Sequence, residues 1–397
     1  MTAQLQLARD THVYASIADA TGERYYWKLP VLDGFSFSQS NATTEVTLAE
    51  MAGANNSSRR GRKLFTDAFE PAEWNLQMYA RPYDATSPAA AAVSGSTDEV
   101  LWSNFVNAGA YTHNSRSFAG GVEKVASPTH MDIDFDESNV AALKTFNLFF
   151  VLGACGTLAS AYNAGPGNDQ TIYKVANAVC NSVSMDFDID GILTLDWSGL
   201  GTLITEETAM PAAASGNWYD YIIDDGIAHS ESNFIRNRLT TLGVATPNAV
   251  APFAAVTSYE LTLTGGNISF ENNITFLTPE ELCVVNQPIG NVTGTRNISG
   301  SFTCYLNAGT GSSASAGTSA DLFDDLASAT GVVTNSADLT FSIGGGAAPK
   351  VVVKIPTAHL EIPTHSIEDV ISLEVNFHAL PGDLDETNEA TLEYHNA

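Results

Sequence analysis

The chain has 397 residues, 45 of them acidic and 17 basic, for a formal charge of -28, with 44% hydrophobic and only 16% charged residues. That length corresponds to roughly two or three domains. The charge excludes a protein that holds nucleic acid by neutralising phosphates, a task for clustered Lys and Arg, and the 19 Phe, 13 Tyr and 5 Trp exclude a chain too poor in apolar surface to fold.

From the N-terminus, MTAQLQLARDTHVYAS has no basic stretch followed by an apolar one, so the sequence predicts a chain that folds where it is made. DGFSFSQS alternates with the period of a half-buried strand. SSRRGRKLF, residues 57–65, then gathers four of the basic residues, Arg59, Arg60, Arg62 and Lys63. A solvated loop is one reading. The other is an interface loop that seeks an acidic partner, most simply another copy of this acidic chain.

EPAEWNLQMYARP follows as a strand around Trp74 and Tyr79, and a Ser/Gly/Ala tract at residues 87–97 reads as a loop. Thr97 and Asp98 can cap a helix over DEVLWSNFV, with Leu101, Trp102 and Phe105 on one face. HMDIDFDE sets Asp132, Asp134 and Asp136 against Ile133 and Phe135, and NLFFVLG is an apolar strand ending at Gly153. DFDIDG, residues 186–191, has the first acids and the glycine of a calcium loop, but position 12 is Trp197 where a bidentate Glu is needed. Asp186, Asp188 and Asp190 therefore read as the polar side of an amphipathic strand.

The second half repeats this order. Residues 173–200 match 353–380 at an offset of 180, pairing Lys174 with Lys354 and Ala178 with Ala358. NLFFVLG matches DLTFSIG at 338–344, SADLFDDLAS supplies a second helix through Leu322, Phe323 and Leu326, EPAEWNLQMYARP corresponds to RNISGSFTCYLN, and GFSFSQSNATTEVTLAEM to GNISFENNITFLTPEEL. A fixed order of similar blocks is the mark of a duplicated domain. Between the copies, residues 203–253 read as an ordered connector that includes a short helical pattern, NFIRNRLTTL.

Catalytic signatures are missing: no GxSxG elbow, HExxH, Walker sequence or GxGxxG after a strand. Gly344–Gly346 ahead of Lys350 lacks phosphate-loop spacing, and His359, His365 and His378 have no counterparts in the first copy. Cys155, Cys180, Cys283 and Cys304 show no CxxC spacing and read as buried thiols. No window reaches the roughly 18 apolar residues of a membrane-spanning helix.

The run from DGFSFSQS through TLAEM, then SRRGRKLF and FEPAEWNLQMYARP, resembles the major tail tube proteins of long-tailed, non-contractile bacteriophages (the siphovirus type). NNITFLTPEEL, GNVTGTRNISGSFTCYLN and the terminal NEATLEYHN extend the resemblance into the second half. It implies a mainly β chain of two tandem tube domains, residues 1–202 and 254–397 flanking the connector at 203–253. Each would be a β-sandwich or half-barrel with a flanking helix and a long loop.

The resemblance further implies a structural virion protein of the phage tail, polymerised as stacked rings around a channel for genome delivery. Its partners would be further copies of itself, the tape measure protein, the tail terminator and the distal tail or baseplate proteins. DNA would transit without specific binding, and no cofactor, metal or membrane is implied. Many members carry one tube domain and form hexameric rings; two domains per chain predict a trimeric ring with pseudo-sixfold symmetry, the hexamer being the alternative. An acidic channel wall would repel DNA into a central path, which makes Asp132, Asp134, Asp186, Asp188 and Asp190 candidates to line it. The alternation gives their face but not its direction, so the outer tube surface stays open as a placement. An adhesive or carbohydrate-binding β protein, of tail-fibre or surface-layer type, would be similarly acidic and catalytically silent.

Overall fold

A computed structural model gives the fold. It describes residues 10–18, 22–46, 63–82, 96–106, 110–113, 116–119, 130–135, 142–153, 170–212, 218–223, 233–246, 256–313, 315–329, 335–384, 386 and 388–395.

The first half begins with the hairpin β1 (His12–Ala18) and β2 (Arg24–Leu29), then β3 (Ser36–Ser38) and a second hairpin, β4 (Asn41–Glu45) with β5 (Leu64–Phe69). In β6 (Ala72–Tyr79) the alternation is realised directly, with Ala72, Trp74, Leu76 and Met78 buried and Glu73 and Asn75 exposed. Helix α1 (Glu99–Val106), the hairpin β7 (Ala110–His113) and β8 (Arg116–Ala119), β9 (His130–Asp134), β10 (Phe146–Leu152), β11 (Thr171–Asp188) and β12 (Thr194–Gly201) follow.

The segment read as a connector is built into the sheets. β13 (Leu203–Glu207) pairs with β11, β14 (Ile222–Ile223) with β2, and β15 (Thr241–Ala245) reaches the second half. Its NFIRNRLTTL pattern is not an α-helix. A 3-10 turn at Asn237–Leu239 leads straight into β15, whose ladder with the second half overrides a weak local propensity.

The second half holds β16 (Ser258–Tyr259), β17 (Leu263–Glu271), the hairpin β18 (Thr275–Leu277) and β19 (Gly290–Val292), β20 (Asn297–Tyr305) and β21 (Ala316–Gly317). Helix α2 (Ser319–Ser328) starts at a capping box in which Thr318 and Asp321 bond each other's backbone N–H groups. Then come β22 (Ala337–Ile343), β23 (Lys350–Leu360), β24 (Thr364–Ile367), β25 (Ile371–Ala379) and β26 (Thr391–His395).

The order of neighbours recurs. One ladder runs β2, β1, β10, β11, β12, β6, β3, with β13 also on β11. The other runs β16, β15, β22, β23, β25, β20, β17, with β26 also on β23. Details recur as well. A register shift follows Phe146 in β10 and Ala337 in β22. Both strands end at a glycine with positive φ, Gly153 at 74° and Gly344 at 105°, a backbone region that side chains other than glycine enter at a cost. Lys174 pairs with Glu207 of β13 at 2.6 Å, and Lys354 pairs with Glu393 of β26.

β11 changes layer along its length. Residues 171–178 pair with β10 and β13, and residues from Val179 onward pair with β12 and then β17. β23 and β24 repeat the change, passing from β22 and β26 to β25. The two layers enclose one apolar core that runs through both halves, from Val13, Trp27 and Leu148 to Trp197, Phe302, Phe341 and Phe377. A smaller cluster covers the far side of β1, β2 and β10, where Trp218 meets Tyr14 and Tyr26 edge to face at 5.4 and 5.5 Å.

Two carboxyls at the start of α1 sit inside this core. Glu99 accepts a hydrogen bond from Trp27 Nε1 at 3.0 Å. Asp98 accepts from Tyr394 Oη at 2.6 Å, from Trp102 Nε1 at 3.2 Å and from the Ser96 hydroxyl, so its side chain ties α1 to the last strand. Burial pushes the Asp98 carboxyl up to about 7, against the lowering effect of these donors. A carboxyl raised in the folded state binds its proton there while the unfolded chain has lost it, so its contribution declines as pH rises from about 4 through 7. Asp98→Asn keeps Oδ2 as the acceptor for Tyr394 and Trp102, turns the bond with Ser96 around so that the new amide donates to the hydroxyl oxygen, and removes the titration. In urea unfolding at pH 8 the variant is expected to gain up to about 4 kcal/mol on the parent chain, and the difference should vanish at pH 4. An equal difference at both pH values would contradict this assignment.

Candidate tube-lining face and sheet edges

One continuous sheet crosses the whole molecule in the order β3, β6, β12, β11, β17, β20, β25, β24, four strands from each half. The join is the antiparallel ladder between β11 and β17, running from Ser182 opposite Glu271 to Asp188 opposite Gly265. It requires close approach: a Cβ on Gly266 would lie 2.7 Å from Phe187 Cζ and 2.5 Å from the Ser301 carbonyl, so glycine is needed where that ring packs.

Alternation sorts this sheet into two faces. Trp74, Leu76, Val183, Met185, Trp197, Ile268, Phe302 and Val375 point into the core. The opposite face carries Ser, Thr, Asn and Gln together with Glu73, Asp186, Asp188, Asp196, Glu271 and Glu374, and no Lys or Arg on the described strand positions. Asp186 stands between Thr194 and Asn267 on its two neighbours. Partial burial raises its carboxyl above the usual carboxylate range, and the charges of Asp196 and Asp188 add to the rise. The face is therefore a field of like charge with hydroxyl and amide groups between the acids.

The acids singled out from the sequence do not share one face. Asp186 and Asp188 lie on the polar side of this sheet. Asp132 and Asp134 lie on β9, whose Met131 and Ile133 enter the same core from the opposite layer, so the two carboxyls point away from the core on the other side. Burial raises the Asp132 carboxyl, with His130 at 3.5 Å opposing the rise. Asp190 is in the turn after β11 and pairs with Arg238 at 3.1 Å, both largely exposed, a contact that solvent screens to little energetic value. Asp196, Glu73, Glu271 and Glu374 are the acids that sequence reasoning missed. Their signal was present in EWNLQ, LTLDW, NISFE and SLEVNF, each with the same polar alternation but only one acid.

Of the basic cluster, Arg59, Arg60 and Arg62 lie outside the described residues. Lys63 is exposed just before β5 and holds Val46 N at 2.9 Å through its carbonyl, at the base of the β4–β5 hairpin. The hairpin regions of the two halves touch: Phe69 N donates to Asn286 O at 2.8 Å, and Asn286 N to Asp67 O at 3.1 Å. Around them Leu64, Phe65, Leu282, Val284 and Ile289 are exposed. Cys283 lies among these exposed residues and is itself exposed and free where the sequence predicted a buried thiol; Cys180 and Cys304 are buried in the sheet, and Cys155 lies outside the described residues.

Among the described residues no group of three His, Cys, Asp or Glu is placed to hold a metal ion, and no helix is long and apolar enough to cross a membrane. No family model matches the chain. It is similar to tail tube protein pb6 of Escherichia phage T5, 26% identical over 392 residues that make up 98% of this chain and 75% of that protein. That likeness, spread along nearly the whole of a mainly β chain, supports a structural role in a phage tail tube.

Proposed function

We propose that this chain is the repeating subunit of a phage tail tube, with two tube domains per chain, residues 1–202 and 254–397, linked by residues 203–253. Three chains close into a ring of six such domains. Rings stack into a tube in the virion, and the genome passes down the channel toward the host without specific binding. The observation that carries this reading is the recurring ladder, which gives each half four strands of one sheet and ends in two edges. Three copies supply 24 strands, which at about 4.8 Å spacing and about 40° tilt close to a backbone diameter of roughly 48 Å. Less its side chains, such a channel passes duplex DNA. The tape measure protein and the terminator and distal tail proteins complete the assembly.

On this reading the channel wall is the polar face that holds Asp186, Asp188 and Asp196, and Asp132 and Asp134 stand on the outside of the tube. DNA carries one charge per about 1.7 Å of axis, and a wall of Lys or Arg would retain it. Electron microscopy of the purified, assembled protein tests the ring: tubes with three chains per ring are expected, and six chains per ring would refute it.

Reversing charge separates the two groups of acids. Asp186→Lys with Asp188→Lys and Asp196→Lys is expected to give particles that assemble but eject DNA about tenfold more slowly, whereas Asp132→Lys with Asp134→Lys leaves ejection unchanged. Equal ejection kinetics for both sets would place the wall elsewhere. Stacking is assigned to the basic segment against an acidic surface of the adjacent ring, where complementary charge sets register more than affinity. Replacing Arg59, Arg60, Arg62 and Lys63 by Ser should slow tube growth, most strongly at low salt, and leave thermal unfolding of the isolated chain unchanged. Normal growth at low salt would return the segment to a merely solvated loop.

A further inference from the structure

The last strand of the chain is gripped by two elements of the first half. β26 pairs with β23 on one side and with β9 on the other, in a register that sets Thr391 opposite Asp134, Glu393 opposite Asp132 and His395 opposite His130. On its core side Leu392 and Tyr394 are fully buried. The Tyr394 hydroxyl donates to Asp98 at 2.6 Å and accepts from Trp102 Nε1 at 3.0 Å, which fastens the strand to α1. Through β9 and α1 the halves are therefore joined a second time, apart from the ladder between β11 and β17.

The outward side of this junction concentrates ionisable groups. Lys350, His395 and His130 form one row across β23, β26 and β9, and Glu393 and Asp132 stand side by side in the next. The two imidazoles stack, with ring centroids 5.2 Å apart and planes at 28°. Each has a carboxylate two residues along its own strand: His395 Nε2 lies 3.2 Å from Glu393 Oε2, and His130 Nε2 lies 3.5 Å from Asp132 Oδ1. Glu393 is shared with Lys354, and Asp134 follows Asp132 on the same face of β9. A proton added to His395 thus places a half-buried charge between the Lys350 ammonium and the face of a second imidazole, with a carboxylate partner already engaged elsewhere.

We propose that β26 is a proton-sensitive clasp between the halves, closed while the stacked His130–His395 pair is uncharged and loosened from β9 when His395 takes up a proton. Burial holds the His395 imidazole below its usual value of 6.5, Lys350 and His130 lower it further, and Glu393 opposes them. A group depressed in the docked state contributes stability that is whole above about 6.5 and is lost as pH falls below it. The Asp98 carboxyl on the inner side has the opposite sign, its contribution declining as pH rises, so loosening in acid belongs to the outward row alone. Burial also raises Asp132, whose protonation would favour the docked state, and the acid response of His395 is for that reason sought above pH 5, where most carboxyls are charged. Opening here uncovers Met131, Ile133 and Leu392, all fully buried, and leaves the polar sheet on the other side of the core intact. The clasp is a property of the single chain and does not rest on the tube reading.

Hydrogen exchange of the full chain, read by mass spectrometry at pH 7.5 and 5.5 and corrected for the intrinsic pH dependence of exchange, tests it. On acidification the amides of residues 391–395 and 130–134 are expected to lose protection about tenfold, while residues 267–271 of β17 keep theirs. His395→Gln retains a donor for Glu393 and cannot charge, so its protection should be the same at both pH values. Lys350→Gln removes the cation opposite His395, which raises the affinity of the docked imidazole for its proton, and the loss should shrink by at least half. Parent protection that is unchanged between the two pH values would overturn the clasp, and this reading needs no variant to fold. A parallel loss in residues 267–271 would show general acid unfolding and overturn it equally, as would a full acid response in His395→Gln.

Discussion

The ladder between β11 and β17 is the constraint on which the rest of the molecule depends. Seven opposed residue pairs join the two halves there, and the side chains behind them, Val183, Met185, Phe187, Ile268 and Phe270, form the middle of the core. Were the ladder absent, each half would present an open strand edge backed by apolar side chains, the arrangement that drives uncontrolled association of β proteins. With it, that liability is consumed inside the chain, and one such pair of edges is left at the ends of the sheet.

The layer change in β11 and in β23 with β24 gives this ladder its position. A strand confined to one layer would close a sandwich and leave its edge buried or capped. By crossing from the β10 and β13 side to the β12 side, β11 brings its last seven residues into the sheet it shares with β12, where β17 adds to them. The electrostatics follow from the same crossing. The polar side of β11 beyond Val179 faces the same way as that of β12, β6 and β17, so acids that are far apart in sequence, Glu73, Asp186, Asp196 and Glu271, come to share one surface. Asp98, anchored to Tyr394 and Trp102, works from behind that surface by fixing α1 and β26 against the core.

Sequence patterns revealed what is local and missed what depends on pairing. The alternation in EWNLQMY and MDFD, the helix over DEVLWSNFV and the glycine stops after NLFFVL and DLTFSI are all legible because side-chain direction and turn chemistry are properties of a few adjacent residues. The side on which an alternating acid lies is not such a property. Asp132 and Asp186 have indistinguishable neighbours, and only the layer to which each strand belongs sends them to opposite surfaces. NFIRNRLTTL looked helical because its apolar spacing is compatible with both periods over ten residues, and the ladder partners of Thr241 and Leu242, Ser342 and Phe341 in the second half, decided the outcome. Cys283 looked like a core thiol because residue type alone says nothing of whether its apolar neighbours, Leu282, Val284 and Val285, are themselves exposed.

The internal ladder also bears on how errors of counting arise. A ring assembled from single-domain subunits can close with one unit too many or too few if each junction bends slightly more or less than intended. On the two-domain reading, half of the junctions are made within a chain and are set by covalent connection and a shared core before any ring exists. The ring then changes size only in steps of two domains, so the nearest miscounts are four and eight instead of five and seven. Each open junction would have to absorb a much larger angular mismatch to close on them. On that reading, fusion of the halves acts as proofreading by geometry, improving the fidelity of ring size without tightening any individual contact.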